Sequence, residues 1–260
     1  MNSWKLSETS YHDVKDRQFE VAVLPFGATE PHNLHLPYGT DTFEASLLAD
    51  MACENASAKN ARIVRLPTVP YGTQTNQKEF PLSMNLNPST LGLIVKDLVG
   101  SLEGSGIKKL LLLNSHGGNS FKSLLRELYG KTTVHIFLCD WYANFSKDIQ
   151  QRVFDEPGDH AGEMETAMAL AYFGEFVEKD AQGNLLADEG AVRSPKLNAL
   201  KKGWIATTRP WHLLTTNTGV GNPHAATAEK GQQFVEEVVE RIANFLVELS
   251  QLPINESFPY

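Results

Sequence analysis

The chain has 260 residues, a formal net charge of −8 and 42% hydrophobic side chains. This length suits one large α/β domain or two small ones, and the apolar fraction supplies a large buried core. The acidic balance argues against nucleic acid or an anionic membrane as the main partner. The sequence predicts a cytoplasmic protein with reduced thiols. Its amino-terminal stretch is polar, it lacks a run of about 20 apolar residues, and its two cysteines, Cys53 and Cys139, stand alone. We expect a single domain over residues 1–260.

Apolar strand-like runs alternate with helical patterns along the chain. Strands are predicted over 19–26, 62–67, 108–113 and 134–138. Helices are predicted over 42–58, from 87–90 towards 104–106, over 120–129 and 162–173, and within 225–249. The alternation favours a doubly wound α/β domain, and the continuous apolar run at 108–113 is typical of a strand buried on both faces. The less regular segment 178–209 is interpreted as a surface excursion, with a flap or an oligomer contact as the alternatives.

The segment from Gly27 to Asp41 follows the first strand directly and is rich in metal-binding side chains. It carries Glu30, His32, His35 and Asp41. Carboxylate oxygens and imidazole nitrogens are the ligands of zinc, manganese and non-haem iron, and they need no cysteine. Prolines and glycines within the segment argue against a helix, so we expect these side chains on a shaped loop. Taken alone, Asp41 could equally cap the helix that follows.

A second candidate, His116, comes directly after the predicted central strand. In open α/β sheets ligands bind beyond the carboxyl ends of the strands. His116 and the Glu30–Asp41 segment should therefore meet at one edge of the sheet. Gly117 and Gly118 let the backbone pass close to a bound ion or substrate. A lone histidine beside glycines would be a turn residue, and it is the coincidence of several loops that favours a metal site.

The third candidate segment, 158–166, joins a histidine and three acids to the start of a helix. His160 is predicted in the lead-in loop, with Glu165 in the first turns of the helix pointing towards the site. Glu163 competes with Glu165, because a side chain three positions after His160 would share its helical face. Asp159 and Glu163 also suit favourable contacts with a helix amino terminus.

These segments resemble a known family. Residues 27–41 are similar to the Gly-Ser/Ala-x-Glu-x-His-Gly-x-His-Leu-Pro-x-Gly-Thr-Asp signature of the creatininase (creatinine amidohydrolase) family. Further similar segments, in the same order, are 80–81, 87–91, 114–119, 160–166, 218–220 and 226–231, so the resemblance spans about residues 20–235. It implies a three-layer α/β/α fold with a mostly parallel central sheet, two divalent metal ions (Zn, Mn or Fe) and a homo-oligomer, frequently a hexamer.

The resemblance also implies roles for single residues. Glu30 and His116 would bind one ion, His32 would bind the other, and Asp41 would bridge both. His160 matches the catalytic histidine of the family. In each case the residue type at the matching position of this sequence is the one that the family uses.

The chain departs from creatininases proper at two places. Gly117-Gly118 stands where they have Tyr-Glu, whose glutamate binds the second ion. Members with the His-Gly-Gly-Asn form are similar to this chain, and there Glu165 would complete the site as the fifth ligand. The tryptophan that walls the creatinine pocket just before the catalytic histidine is absent. Trp141, His35 and the two glycines are the remaining candidates for substrate contacts.

The function expected from these residues is hydrolysis of a non-peptide or cyclic C–N amide bond, creatinine-type substrates included, by a metal-bridged hydroxide with His160 as the proton donor. A formamide hydrolase or small-peptide hydrolase would share the same site. A non-catalytic protein that binds metal or a small molecule is the alternative of another class. The nucleotide-binding class is excluded, because no GxGxxG or GxxxxGK[ST] pattern occurs.

Overall fold

The structure, a computed structural model, describes residues 4–188 and 192–260. Residues 189–191 of the expected 178–209 excursion therefore lie outside the described residues. The central feature is a parallel sheet of four strands in the order β2-β1-β3-β4. The strands are β1 (Val21–Phe26), β2 (Ile63–Arg65), β3 (Lys109–Asn114) and β4 (His135–Asp140).

Helices connect and cover these strands. Within the described ranges the α-helices are α1 (Tyr11–Val14), α2 (Thr40–Ala58), α3 (Pro88–Gly104), α4 (Lys122–Leu128), α5 (Lys147–Val153), α6 (Glu163–Tyr172), α7 (Asn198–Lys201), α8 (Trp211–Leu214) and α9 (Ala228–Gln251). None of them is long and apolar enough to span a bilayer. The predicted elements are all found, with ends shifted by a few residues. Strand β2 is three residues long instead of six, and α4 is seven residues long instead of ten.

Alternate residues of the central strands feed two separate apolar cores. Val21 and Val23 of β1 pack with side chains of α2, α5, α6 and α9. Ala22 and Leu24 point to the other face and pack with α3 and α4. Because successive strand side chains point to opposite faces, a strand buried on both sides must be apolar throughout. The three-layer α/β/α fold expected from the sequence is confirmed.

The start of helix α2 differs from the sequence prediction. The helix begins at Thr40, so Asp41 lies in its first turn and not on the preceding loop. A tight turn sets this start, since the backbone N–H and the hydroxyl of Thr40 both donate to the Pro37 carbonyl, at 3.1 and 2.7 Å. Asp41 does not cap the helix, because Gly39 occupies the N-cap position. Its carboxylate is thereby held by a rigid element.

A lysine lies within the otherwise apolar β3. Lys109 is 1% exposed, and its Nζ donates to the backbone carbonyls of Leu249 and Leu252 at 2.8 and 2.6 Å. These carbonyls lie at the carboxyl end of α9, where they have no partner within the helix. The buried ammonium therefore joins the central strand to the last turn of the longest helix.

Candidate metal centre

The three predicted segments meet beyond the carboxyl ends of β1 and β3. Their side chains form three overlapping groups whose possible ligand atoms lie within 4.8 Å of one another: Glu30 with Asp41 and His116, His32 with Asp41 and Glu165, and Glu30 with His32 and His160. Except for the half-buried Glu165, each of these residues is at most 7% exposed. Asp41 belongs to two of the groups, so it occupies the position of a shared ligand.

The distances within the groups are those of side chains gathered around a common centre. Nδ1 of His116 lies 3.2 Å from Oε1 of Glu30 and 3.2 Å from Oδ2 of Asp41. Nε2 of His32 lies 3.4 Å from Oδ1 of Asp41. The two oxygens of Asp41 thus face different histidines, and this is the arrangement that a bridging carboxylate requires.

Each of these histidines has its second ring nitrogen against a backbone carbonyl. Nδ1 of His32 lies 3.0 Å from the carbonyl of Glu30, and Nε2 of His116 lies 3.0 Å from that of Thr73. A carbonyl oxygen can only accept, so the proton resides on these nitrogens. When these rings are neutral, as metal binding requires, the lone pairs of His32 Nε2 and His116 Nδ1 are then directed towards the carboxylates. Outer hydrogen bonds of this kind orient metal-binding histidines and fix their tautomer.

A small polar network fixes the loop that carries His116. Oδ1 of Asn114 accepts from the His116 backbone N–H at 3.2 Å and from Nδ2 of Asn119 at 3.0 Å. Oδ1 of Asn119 in turn accepts from the Thr73 backbone N–H at 2.9 Å. Gly118 is required at this crossing, because a Cβ there would lie 1.9 Å from the Thr73 carbonyl oxygen. The glycine lets the histidine reach its acceptor.

His160 is held by backbone pairing with a distant segment. Its N–H and C=O pair with Val220, at 3.2 and 2.7 Å. Nε2 of its ring lies 2.9 Å from the Pro31 carbonyl, so Nε2 carries the ring proton and donates a hydrogen bond to this oxygen. The other nitrogen, Nδ1, lies 3.7 Å from Oε1 of Glu30. The nitrogen of His160 that can exchange a proton within the site is thus Nδ1.

The structure separates the two competing glutamates. Glu165, in the first turn of α6, lies with His32 and Asp41, and one of its oxygens accepts from the Ala161 backbone N–H. Glu163 is directed away from this cluster. It pairs with Nζ of Lys230 and accepts from the Glu156 backbone N–H at 2.8 Å. Glu163 therefore ties the lead-in segment of His160 to α9.

The charges of the cluster are strongly coupled. Burial alone would lower the pKa of His32, but the Asp41 carboxylate outweighs it and raises the pKa to about 10. Burial also opposes the charged form of His116, yet the Glu30 and Asp41 carboxylates raise its pKa well above the usual range. The same histidines hold the pKa of Asp41 far below its usual range against the effect of burial. Negative charge therefore dominates the site and favours a bound cation.

Two unsatisfied atoms test whether a metal fits these residues. Nε2 of His32 and Oδ2 of Asp41 are buried and make no hydrogen bond to any part of the chain that the structure describes. Buried polar atoms nearly always have a partner. An imidazole lone pair and a carboxylate oxygen that converge without donors are suitable ligands for a divalent cation. The donor set fits the metal ions that the sequence predicts.

The predicted substrate contacts occupy different environments. Gly117 is exposed, with open space on its Cα, whereas Gly118 adjoins Thr73. Nε2 of His35 lies 2.8 Å from the hydroxyl of Thr166 on α6, and burial lowers the pKa of His35 to about 4, so the ring is neutral. Trp141 is fully buried, and its Nε1 donates to Ser115 at 2.6 Å. It presents no ring surface to an open pocket in this structure.

Three residues near the cluster were missed in the sequence. Gln77 donates from Nε2 to Oε2 of Glu30 at 2.7 Å. The ring of Trp211 packs edge-on against His160, with centroids 4.9 Å apart. Glu44, one turn after Asp41 on α2, is fully buried, and its pKa is raised by burial and by the charges of Glu165 and Asp41. Helical spacing from Asp41 could have revealed Glu44, but no local pattern marks the other two.

The fold and the site together define an α/β protein of the metallohydrolase type. The sequence profile described as creatininase, creatinine amidohydrolase, matches residues 6–246. The chain therefore belongs to the creatininase family of amidohydrolases, and the resemblance inferred from the motifs is confirmed at the level of the family.

Individual relatives cover most of the chain. A creatinine amidohydrolase from Pseudomonas putida is 27% identical, over 92% of this chain and 90% of that protein. A mycofactocin precursor peptide peptidase from Mycobacterium ulcerans is 26% identical, over 86% and 84%. The crystal structure of a putative creatinine amidohydrolase from Bacteroides fragilis is 33% identical, with a TM-score of 0.88 over 98% of this chain and 100% of that one. The similarity is thus to whole proteins.

Proposed function

We propose that this protein is a metal-dependent amidohydrolase that cleaves a C–N amide bond other than a normal peptide bond. The observation that carries the proposal is the shared carboxylate of Asp41, whose two oxygens face His116 and His32. The proposed ligands are Glu30, Asp41 and His116 for one ion, and His32, Asp41 and Glu165 for a second. The donors suit Zn, Mn or Fe.

The chain itself would supply positioning and proton transfer. When bound, divalent ions in such a site lower the pKa of coordinated water and polarise a carbonyl group. Gln77 holds one oxygen of Glu30, so the other stays directed at His116. His160 keeps its Nε2 proton in the hydrogen bond to the Pro31 carbonyl, and Nδ1 would take a proton from the attacking water and pass it to the leaving nitrogen. The near absence of solvent exposure at these side chains keeps bulk water away from the reacting groups.

The substrate is proposed from the relatives and the site together. Creatinine is the substrate named by the Pseudomonas relative, and a peptide is named by the mycobacterial one. The His-Gly-Gly-Asn form and the full burial of Trp141 argue for the branch outside creatininases proper. A formamide or a short peptide is therefore the second candidate. A non-catalytic binding protein on this scaffold is disfavoured by the placement of His160 Nδ1 beside Glu30.

We also infer the wider setting of the enzyme. Two buried, free cysteines, Cys53 and Cys139, are consistent with a cytoplasmic location. Exposed apolar side chains beside the Glu30 segment, Tyr71, Leu82 and Met84 among them, support a homo-oligomer such as a hexamer. The profile match over 6–246 supports one hydrolase domain over residues 1–260.

The proposal is tested by metal analysis and hydrolysis with wild-type protein and His160→Ala. Manganese-, zinc- and iron-loaded forms are assayed against creatinine, formamides and short peptides. We expect close to two ions per chain, hydrolysis that disappears on complete removal of metal, and a loss of about 100- to 10,000-fold in kcat for His160→Ala with the metal content unchanged. Equal rates with and without metal would refute the mechanism. Loss of an ion in His160→Ala would instead make this histidine a ligand.

A further inference from the structure

Trp211 closes the side of the cluster that carries His160. The imidazole ring of His160 lies between two rings, with His32 at a centroid distance of 4.1 Å and Trp211 at 4.9 Å. The two ring planes meet at 69°, so the indole and the imidazole form a T-shaped pair. Trp211 is only 3% exposed although it begins the four-residue helix α8. The tryptophan is therefore built into the site and does not lie on the surface.

The indole N–H has no acceptor. Nε1 of Trp211 is buried and makes no hydrogen bond within 4–188 and 192–260. Helix α8 packs against the turn Thr75–Gln77, where Oε1 of Gln77 is also buried and without a partner among the described residues. A buried indole N–H normally donates to an acceptor. A free donor and a free acceptor thus lie on two adjoining elements beside Glu30 and His160.

The outer side of Trp211 is fixed by an ion pair. The guanidinium of Arg209 lies 5.3 Å from the centre of the indole ring, and its Nη1 pairs with Oδ2 of Asp159 at 2.7 Å. Asp159 immediately precedes His160, so the pair joins the start of α8 to the segment that carries the histidine. The cation above the aromatic ring limits its movement. The indole N–H is consequently held in one direction.

We propose that Trp211 is a specificity-determining residue, whose unpartnered Nε1–H donates to an oxygen of a compact, planar amide substrate, with the unpartnered Oε1 of Gln77 on the adjoining turn as the acceptor for an N–H of the substrate. This inference rests on the proposed function. The ligand class follows from the chemistry: one acceptor and one donor close together on a flat group are the features of a cyclic amide, a ureide or a formamide. A site that hydrogen-bonds a substrate group strongly rejects analogues that lack this group.

The test compares Trp211→Phe with Trp204→Phe in the metal-loaded protein. The first variant keeps an aromatic ring against His160 and removes the N–H together with part of the indole ring, and thermal unfolding reports the effect of the lost volume. Trp204 is 71% exposed and stacks on Lys202, so its variant controls for the loss of a tryptophan. The probe is the amide that the wild type hydrolyses fastest in the screen described above. Metal content and thermal unfolding are measured alongside.

For Trp211→Phe we expect KM to rise about 5- to 10-fold, kcat to change less than about threefold, and the metal content to remain that of the wild type. Gln77→Glu should raise KM as well, since a carboxylate there repels Glu30. An unchanged KM in Trp211→Phe, or an equal rise in Trp204→Phe, would overturn the inference while the proposed function stands. A wild type that hydrolyses no amide in any metal form would remove the proposed function and this inference with it.

Discussion

At the scale of single residues, the protonation of the histidines is set by the backbone. His32, His116 and His160 each place one ring nitrogen 2.9–3.0 Å from a main-chain carbonyl, those of Glu30, Thr73 and Pro31. The carbonyl accepts a hydrogen bond from that nitrogen, and the other nitrogen is left facing the cluster. For His32 and His116 this atom faces the carboxylates as a proposed ligand, and for His160 it is the proposed site of proton transfer. Main-chain carbonyls thereby decide which nitrogen of each imidazole is available.

The roles of the two acids on α6 can be separated by Glu165→Gln and Glu163→Gln. We expect Glu165→Gln to weaken the second ion by at least about 10- to 100-fold, because it removes a charged ligand of the His32–Asp41 group. Glu163→Gln should keep both ions and lose about 1–3 kcal/mol of stability, because Lys230 loses its buried carboxylate partner and keeps only the exposed one of Asp155. Metal titration and urea unfolding measure the two effects. The reverse outcome would make Glu163 the ligand.

At the scale of elements, the site depends on where loops touch each other. The turn after β3 approaches the 73–77 segment so closely that Gly118 has no room for a side chain. The glutamate that creatininases proper carry at this position could not be accommodated without moving Thr73. The chain instead has Glu165 on α6, which comes from the opposite side of the cluster.

Gly118→Ala tests this contact, with Gly117→Ala as the matched control. A Cβ at position 118 must displace the Thr73 carbonyl and thereby remove the acceptor of His116. We expect a loss of about 1–3 kcal/mol of stability and weaker metal binding by about 10- to 100-fold. At Gly117 a Cβ has nothing within 4 Å, so stability should change by less than about 0.5 kcal/mol. Equal behaviour of the two variants in metal titration and unfolding would contradict the contact.

At the scale of the whole molecule, the sequence predicts those site residues that directly follow a strand along the chain. Glu30, His32 and Asp41 follow one strand and His116 follows another, and the rule for strand ends brings them together. Trp211 and Gln77 could not be assigned in this way, because their partners are set by tertiary packing between distant segments. The partner of the Lys109 ammonium could not be predicted either, because the apolar pattern of β3 does not indicate that it meets a carbonyl of α9. Local periodicity does not report which carbonyl or ring a side chain will meet.

The stability that the whole molecule gains on metal binding should depend on pH. The raised pKa of His32, about 10, means that the metal-free fold gains stability from its protonated ring below about pH 6.5 and loses this contribution as the pH rises through about 10. A metal ion needs the unprotonated nitrogen, so binding releases protons. The gain in unfolding free energy on metal addition should therefore grow between pH 6.5 and 9. Urea unfolding with and without manganese checks this, and a gain that shrinks with rising pH would contradict it.

The pairing of His160 with Val220 has a consequence for the order of folding. The two residues are 60 positions apart, and the Glu30 loop, the His116 loop and α6 must also assemble before the cluster exists. Contacts of such sequence separation form late, because long loops must close first. A nascent chain whose last third has not yet been synthesised lacks Val220, the residue that pairs with the backbone of His160. We therefore expect the proposed metal site to be complete only after the segment around Val220 has paired with His160.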